Sequence, residues 1–182
     1  ALYIKNLEIF FILYIPSLTD RHIAILKSEI IELYNNFNIF WNTDVSLLSN
    51  EDFPIILDLY NQIAEKAKDK QNPYNKDYDD LSLYLKDLAI GSDSFLWNGY
   101  TTIESSSKCI CLDTKDLQNS PDNIISTQYF NILQWAWEEI VKNPDERVLL
   151  IADEAYLMID PKVPQSLVFL RNAAKGVRKY EG

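Results

Sequence analysis

The first 90 residues contain no glycine, and apolar residues recur in them at every third or fourth position. This spacing runs through residues 19–39, 49–69 and 77–90, and it is typical of helices that bury one face. We therefore predict an all-α domain over residues 1–90. The residues expected on the buried faces are Ile23, Leu26, Ile30, Leu33, Tyr34, Phe37, Ile56, Leu59, Tyr60, Ile63, Tyr78, Leu81, Leu85 and Leu88.

Polar residues and glycine mark where these helices should begin and end. Thr19 or Asp20 can cap the first, and Ser49 with Asp52 can cap the second. Gly91 can supply a left-handed residue after the third.

The pattern changes after Gly91. Residues 108–113, "KCICLD", and 147–153, "RVLLIAD", are short apolar runs typical of buried strands, and the helical pattern of 126–142 lies between them. Strand, helix and strand in this order predict two parallel strands with a right-handed crossover. We therefore expect an α/β domain over residues 91–182, with buried thiols in its first strand.

Composition limits the classes of function. A formal net charge of -10 and a pI near 4.5 disfavour a nonspecific DNA-binding surface, which needs clustered Lys and Arg. Two cysteines and a distant single histidine, His22, are too few ligands for a typical zinc site and fit a reduced, cytosolic compartment. The run "LEIFFILYI" is shorter than the ~20 apolar residues that a membrane span requires. His22 lies near the start of a predicted helix, and we expect it to be a partly exposed polar residue rather than a general base.

Asp153 and Glu154 follow the second predicted strand directly. Ligands of an open parallel sheet lie beyond the carboxyl ends of its strands, where Asp153 could hold magnesium and Glu154 could orient or deprotonate a water. Asp113, at the end of the first predicted strand, would lie at the same edge. Alternatively, the two acids only cap the following turn. No G-x-x-x-x-G-K-[ST] phosphate loop occurs in the chain, since Lys27-Ser28 lies in a predicted helix without a preceding glycine.

Four segments together resemble a known family: "GSDSFLWNGYT", "CICLDTKDL", "VLLIADEAYLMID" and "FLRNAAKGVRKYEG". They are similar, in order and spacing, to the energising ATPases of conjugative transfer and type IV secretion, of TraC and TrbE type within the VirB-type family. "IPSLTDRHIAILKSEIIELYNNFNI" is similar to the helical segment that this family inserts before that region. The resemblance implies a partial RecA-like P-loop ATPase core in residues 91–182, preceded by a helical insertion.

The resemblance also implies roles for individual residues. Asp153 would be the Walker B acid that holds Mg²⁺, and Glu154 would be the catalytic base. Lys175, Arg178 and Lys179 correspond to a basic motif, in which Arg178 is preferred for reaching the phosphates because guanidinium offers two donors.

This chain departs from the family pattern at two places, because Gly176-Val177 stands where a more basic pair is common and Glu181 where a small residue is common. Both departures weaken the assignment of individual basic residues. A larger departure is the absent phosphate loop, which we expect upstream of residue 1. The 182 residues alone should then bind nucleotide poorly and show no turnover.

For the complete protein, the resemblance implies ATP and Mg²⁺ as cofactors, a homo-oligomer that is a hexamer, and other secretion components, including a coupling ATPase, as partners. DNA contact and a cytoplasmic position at the inner face of the membrane also follow from it. Two other hypotheses stay open. One is a non-enzymatic interaction module that presents Tyr34, Tyr60, Tyr74, Tyr78 and Tyr84, and the other is a magnesium-dependent phosphohydrolase without a phosphate loop.

Overall fold

The computed structural model describes residues 2–103, 107, 109–143, 148–152 and 171. Their regular secondary structure is helical. The α-helices are α1 (Leu2–Tyr14), α2 (Asp20–Asn36), α3 (Ile56–Ala67), α4 (Asn75–Ala89), α5 (Ser94–Trp97) and α6 (Asp122–Lys142). Single 3₁₀ turns occur at Val45–Leu47, Asn50–Asp52 and Asp116–Asn119.

The chain divides into two compact units. The first comprises residues 1–8 and 17–103, and the second comprises residues 9–16 together with those from 104 onwards. The division into domains at residues 90 and 91 stays a prediction.

Helices α2, α3 and α4 form the core of the first unit. Most of the apolar residues expected on their buried faces are buried, because three or four residues separate neighbours on one helix face. Ile23, Tyr34, Ile56 and Tyr60 are only partly buried, and Phe37, directly after α2, is exposed, so the prediction was wrong for Phe37. Ile63, Leu81, Leu85 and Leu88 have no exposed surface. The remaining buried apolar side chains of these helices are Leu26, Ile30, Leu33, Leu59, Ala67, Tyr78 and Ala89.

The predicted helix boundaries are correct in part. Thr19 caps α2, with its hydroxyl accepting the N–H of His22, as expected. Ser49 and Asp52 instead form a capping box on the 3₁₀ turn Asn50–Asp52, and α3 begins later. Gly91 does not adopt a positive φ, so the expectation of a left-handed residue after α4 was wrong.

The second unit contains the longest helix of the described residues, α6. The helical spacing predicts that Tyr129, Ile132, Leu133, Ala136 and Ile140 pack inward; four of them are buried, and Ile132 is only partly buried. The side-chain amide of Asn123 donates to the backbone oxygen of Tyr14 at 2.9 Å, which joins the start of α6 to the end of α1.

The predicted parallel strands are wrong, and with them the expected α/β, RecA-like fold class: the described residues contain no strand. Residues 109–113 are irregular and exposed, and residues 148–152 are also irregular, with Leu149 83% and Ile151 80% exposed. A strand exists only when a neighbouring strand accepts and donates its backbone hydrogen bonds. Neither run has such a neighbour within the described part of the chain.

The absence of a buried strand over residues 109–113 also explains why the two cysteines of this run are exposed. Cys109 and Cys111 are free and exposed, so the prediction of buried thiols was wrong. Among the described residues, no helix combines the length and apolar character needed to cross a bilayer.

Candidate functional site

The five residues predicted to act on nucleotide lie outside the described residues. They are Asp153, Glu154, Lys175, Arg178 and Lys179. Their roles stay predictions.

Asp113, the third predicted acid, is described. It lies in an exposed, irregular segment, and its Oδ1 accepts the backbone N–H of Lys115 at 2.9 Å. This contact closes a local turn, so Asp113 does not end a strand. Within the described ranges, no group of three or more His, Cys, Asp or Glu side chains is arranged to hold a metal ion.

The most buried ionisable cluster in the described chain centres on Glu29 of α2. The Glu29 side chain is 3% exposed and lies among residues of α3 and α4. Its Oε1 accepts from the Tyr78 hydroxyl at 2.7 Å and from Lys66 Nζ at 2.9 Å. Its Oε2 accepts from Gln62 Nε2 at 2.6 Å, and that amide also donates to the Glu29 backbone oxygen at 3.0 Å. One carboxylate therefore joins three helices.

The negative charge of Glu29 is paired with the positive charge of Lys66. Lys66 Nζ lies 2.9 Å from Glu29 Oε2 and 2.7 Å from Glu32 Oε2, which lies nearer to solvent. Burial alone would lower the pKa of Lys66, but its hydrogen bonds to the two carboxylates outweigh burial and raise that pKa. Burial, and next the hydrogen bond to Glu29, raises the pKa of Tyr78 to about 12.

This cluster is suited to structure rather than to catalysis. Oε1 of Glu29 accepts two hydrogen bonds from the protein, and Oε2 accepts one from Gln62 and also lies 2.9 Å from the Lys66 ammonium, so protein groups already contact both oxygens. A ligand or a reacting water would have to displace one of these donors. We conclude that Glu29 fixes the arrangement of α2, α3 and α4.

A second cluster surrounds His22 at the start of α2. His22 is 5% exposed, so the expectation of partial exposure was wrong. Its Nδ1 accepts the backbone N–H of Thr19 at 3.3 Å, which completes a capping box. Its Nε2 lies 3.7 Å from Asp77 Oδ1 and 3.8 Å from Asp80 Oδ2, and its ring contacts Tyr84 edge to face. The histidine thus joins the cap of α2 to the acidic start of α4.

The tyrosines of the proposed interaction module differ in exposure. Tyr78 is buried in the Glu29 cluster, and Tyr34, Tyr60 and Tyr84 are partly buried. Tyr74 is the one of the five that is exposed. These side chains therefore contribute mainly to packing.

Comparison with known proteins assigns the chain to a family. No family model and no curated protein matches the chain. Among solved structures, the chain is similar to VirB4 of Thermoanaerobacter pseudethanolicus, with 39% sequence identity and a TM-score of 0.89. The match covers 100% of this chain and 47% of the VirB4 chain. The chain thus spans about half the length of the VirB4 that it matches, and it belongs to the VirB4-type proteins of type IV secretion.

Proposed function

We propose that these residues are part of an ATPase that energises conjugative DNA transfer or type IV secretion, with ATP hydrolysis driving substrate translocation or pilus assembly. The observation that carries the proposal is the similarity to VirB4, at 39% identity over the whole chain. The Asp-Glu pair at residues 153 and 154 and the basic residues near 178 supply the residue types that such chemistry needs.

Each residue has a separate task in this proposal. Asp153 would hold Mg²⁺, which would supply positive charge to neutralise the phosphates, and Glu154 would position and deprotonate the attacking water. Arg178 binds a phosphate oxygen through two guanidinium donors, and Lys175 and Lys179 add positive charge beside it.

The proposal also requires a phosphate-binding loop from outside these 182 residues, because they contain no G-x-x-x-x-G-K-[ST] sequence. Backbone amides at a helix start and the loop lysine provide most of the affinity for phosphate. We therefore expect the 182-residue chain alone to hydrolyse no ATP, and a VirB4-type protein that contains both parts to do so.

The same proposal extends to the assembly. The working enzyme would be a homo-oligomer, a hexamer by family resemblance, at the cytoplasmic face of the membrane. It would act with other secretion components, including a coupling ATPase, and with DNA as a possible cargo.

The decisive variant is Glu154→Gln in the full-length protein that contains this chain. Glutamine keeps the size of the side chain but cannot accept the proton of the attacking water, so we expect phosphate release to fall by about a hundredfold or more. Binding of a fluorescent ATP analogue should be unchanged. Glu65→Gln is the matched control, because Glu65 is exposed on α3 and pairs with Lys68. Hydrolysis at the wild-type rate by the Glu154→Gln protein would remove Glu154 from the mechanism.

A further inference from the structure

The connection between α2 and α3 exposes large apolar side chains in the first unit. Trp41 is 69% and Leu47 82% exposed, and Phe40 and Val45 are at least half exposed. Single exposed apolar residues are ordinary, but four within eight positions, one of them tryptophan, are typical of interaction surfaces. We call residues 38–53 the apolar loop.

Local hydrogen bonds fix the backbone of the apolar loop. The N–H of Phe40 donates to Thr43 Oγ1 at 2.8 Å, and the N–H of Thr43 donates to the backbone oxygen of Phe40 at 3.0 Å. Asp44 Oδ1 accepts from both the N–H and the hydroxyl of Ser46, at 3.1 and 2.7 Å. These hydrogen bonds favour one backbone conformation of the loop, so less conformational entropy would be lost when a partner binds.

A second segment of the same unit contacts the loop and has exposed apolar side chains of its own. The side-chain amide of Asn50 donates to the backbone oxygen of Thr101 at 3.1 Å. Tyr100 and Ile103, on either side of Thr101, are both exposed. The segment is itself fixed, since Asn98 accepts the N–H of Leu57 at 3.0 Å.

The charges of the apolar loop all have one sign. It contains Asp44, Glu51 and Asp52 and no Lys, Arg or His, and all three carboxylates are exposed. Hydrogen bonds from Ser46 lower the pKa of Asp44, and those from Ser49 lower the pKa of Asp52, so both stay ionised near neutral pH. None of the three makes an ion pair with a cation in the part of the chain that the structure describes.

From this combination we propose that the apolar loop is a docking surface for a basic amphipathic protein segment, in which apolar side chains contact Trp41 and Leu47 while Lys or Arg pair with the surrounding carboxylates. Opposite potentials favour such a partner and exclude others. A second copy of this chain would bring the same three carboxylates against their equivalents in a two-fold contact. Nucleic acid would be repelled by them and by the net charge of -10.

The test uses the 182-residue chain and three labelled 18-residue helical peptides. One has leucine on one face and lysine on the other, the second replaces lysine with glutamate, and the third replaces leucine with serine. We expect fluorescence anisotropy to show binding of the Leu/Lys peptide alone, and the affinity should fall as salt rises. Equal binding of the Leu/Glu peptide, or no binding of the Leu/Lys peptide, would overturn the proposal.

Variants locate the binding. Trp41→Ala combined with Leu47→Ala should lower the affinity for the Leu/Lys peptide about tenfold or more, because truncating a central anchor removes much of the contact energy. The matched control is Leu83→Ala, which truncates an exposed leucine on the acidic helix α4. An equal loss in the control, or no loss in the loop variant, would show that binding is not at the loop.

Charge is tested without changing the loop structure. Asp44→Asn, Glu51→Gln and Asp52→Asn together remove three charges, while the asparagine oxygens can still accept the hydrogen bonds from Ser46 and Ser49. We expect weaker peptide binding and a smaller salt dependence. Two other results would contradict the proposed partner: concentration-dependent dimerisation that the Trp41 and Leu47 substitutions abolish, or equally tight binding to neutral phosphatidylcholine vesicles.

Discussion

Replacing Tyr78 with phenylalanine tests whether the Glu29 cluster holds the helical unit together. The substitution removes one hydroxyl, which donates to Glu29 Oε1 at 2.7 Å in a buried site, and leaves the ring packing in place. A hydrogen bond to a charged group contributes about 1.5–3 kcal/mol. Glu29 keeps its contacts with Lys66 and Gln62, so the carboxylate is not left unpaired. We therefore expect the free energy of unfolding to fall by about 2 kcal/mol at pH 7.

The pH dependence provides a second measure of the same contact. The pKa of Tyr78 is raised to about 12, first by burial and then by Glu29, from an unfolded value of 10.0. The folded chain thus holds this proton more tightly than the unfolded chain, and the resulting stability is complete below pH 10 and is lost as the pH rises towards 12. In Tyr78→Phe this loss should be smaller by at most about 1.4 kcal/mol per pH unit. The pKa of Lys66 is also raised, so the variant should still lose some stability as the pH rises above 10.

Urea unfolding followed by circular dichroism at 222 nm, at pH 7 and at several values from 9.5 to 11.5, measures both quantities. Tyr74→Phe is the matched control, since Tyr74 is an exposed tyrosine just before α4. It should change stability by less than about 0.5 kcal/mol. Our reasoning is refuted if Tyr78→Phe behaves like this control at pH 7, or if its stability falls as steeply above pH 10 as that of the wild type.

Two further substitutions in the same unit follow. Lys66→Met should lower the free energy of unfolding by about 2–4 kcal/mol. This loss is somewhat smaller than that expected for breaking a fully buried ion pair, because the Lys66 side chain is 31% exposed. An unchanged urea midpoint at pH 7 would show that Glu29 does not need its cation. Leu81→Ala should cost about 2–5 kcal/mol because Leu81 has no exposed surface, and the same urea experiment on Leu83→Ala should show about 0.5 kcal/mol or less; similar losses in the two variants would contradict the assigned core.

The helices could be predicted because a helix satisfies its own backbone hydrogen bonds, so a single stretch of sequence contains most of the information. The apolar residues of α4 show this directly. Leu81, Leu85 and Leu88 are three or four positions apart and all have no exposed surface. Boundaries were predicted less well, since Ser49 and Asp52 have the residue types of a helix cap but cap a 3₁₀ turn instead.

The Glu29 cluster was not predicted, although its position contains a signal. Glu29 follows Leu26 by three residues and precedes Leu33 by four, so it shares the buried face of α2 with both. A glutamate at such a position needs a cation and further donors, and these come from Lys66 and Tyr78, which are 37 and 49 residues away in sequence. Helical spacing places each residue on a face but does not state which faces meet. The partners therefore became visible only in the packed unit.

The predicted strands were wrong for a related reason. Apolar composition indicates that a run is suited to burial, but it does not show which neighbouring segment would cover that run. Residues 109–113 and 148–152 have the composition of buried strands, yet neither forms a ladder with the other or with any other described residue. Their side chains are consequently largely exposed, as Leu149 and Ile151 show most clearly. A strand prediction therefore involves at least two segments, and its weakest step is the assumption that they pair. The predicted position of Asp113 at the same sheet edge as the acids at 153 and 154 depended on that assumption, whereas the family assignment depends on sequence identity along the whole chain and does not.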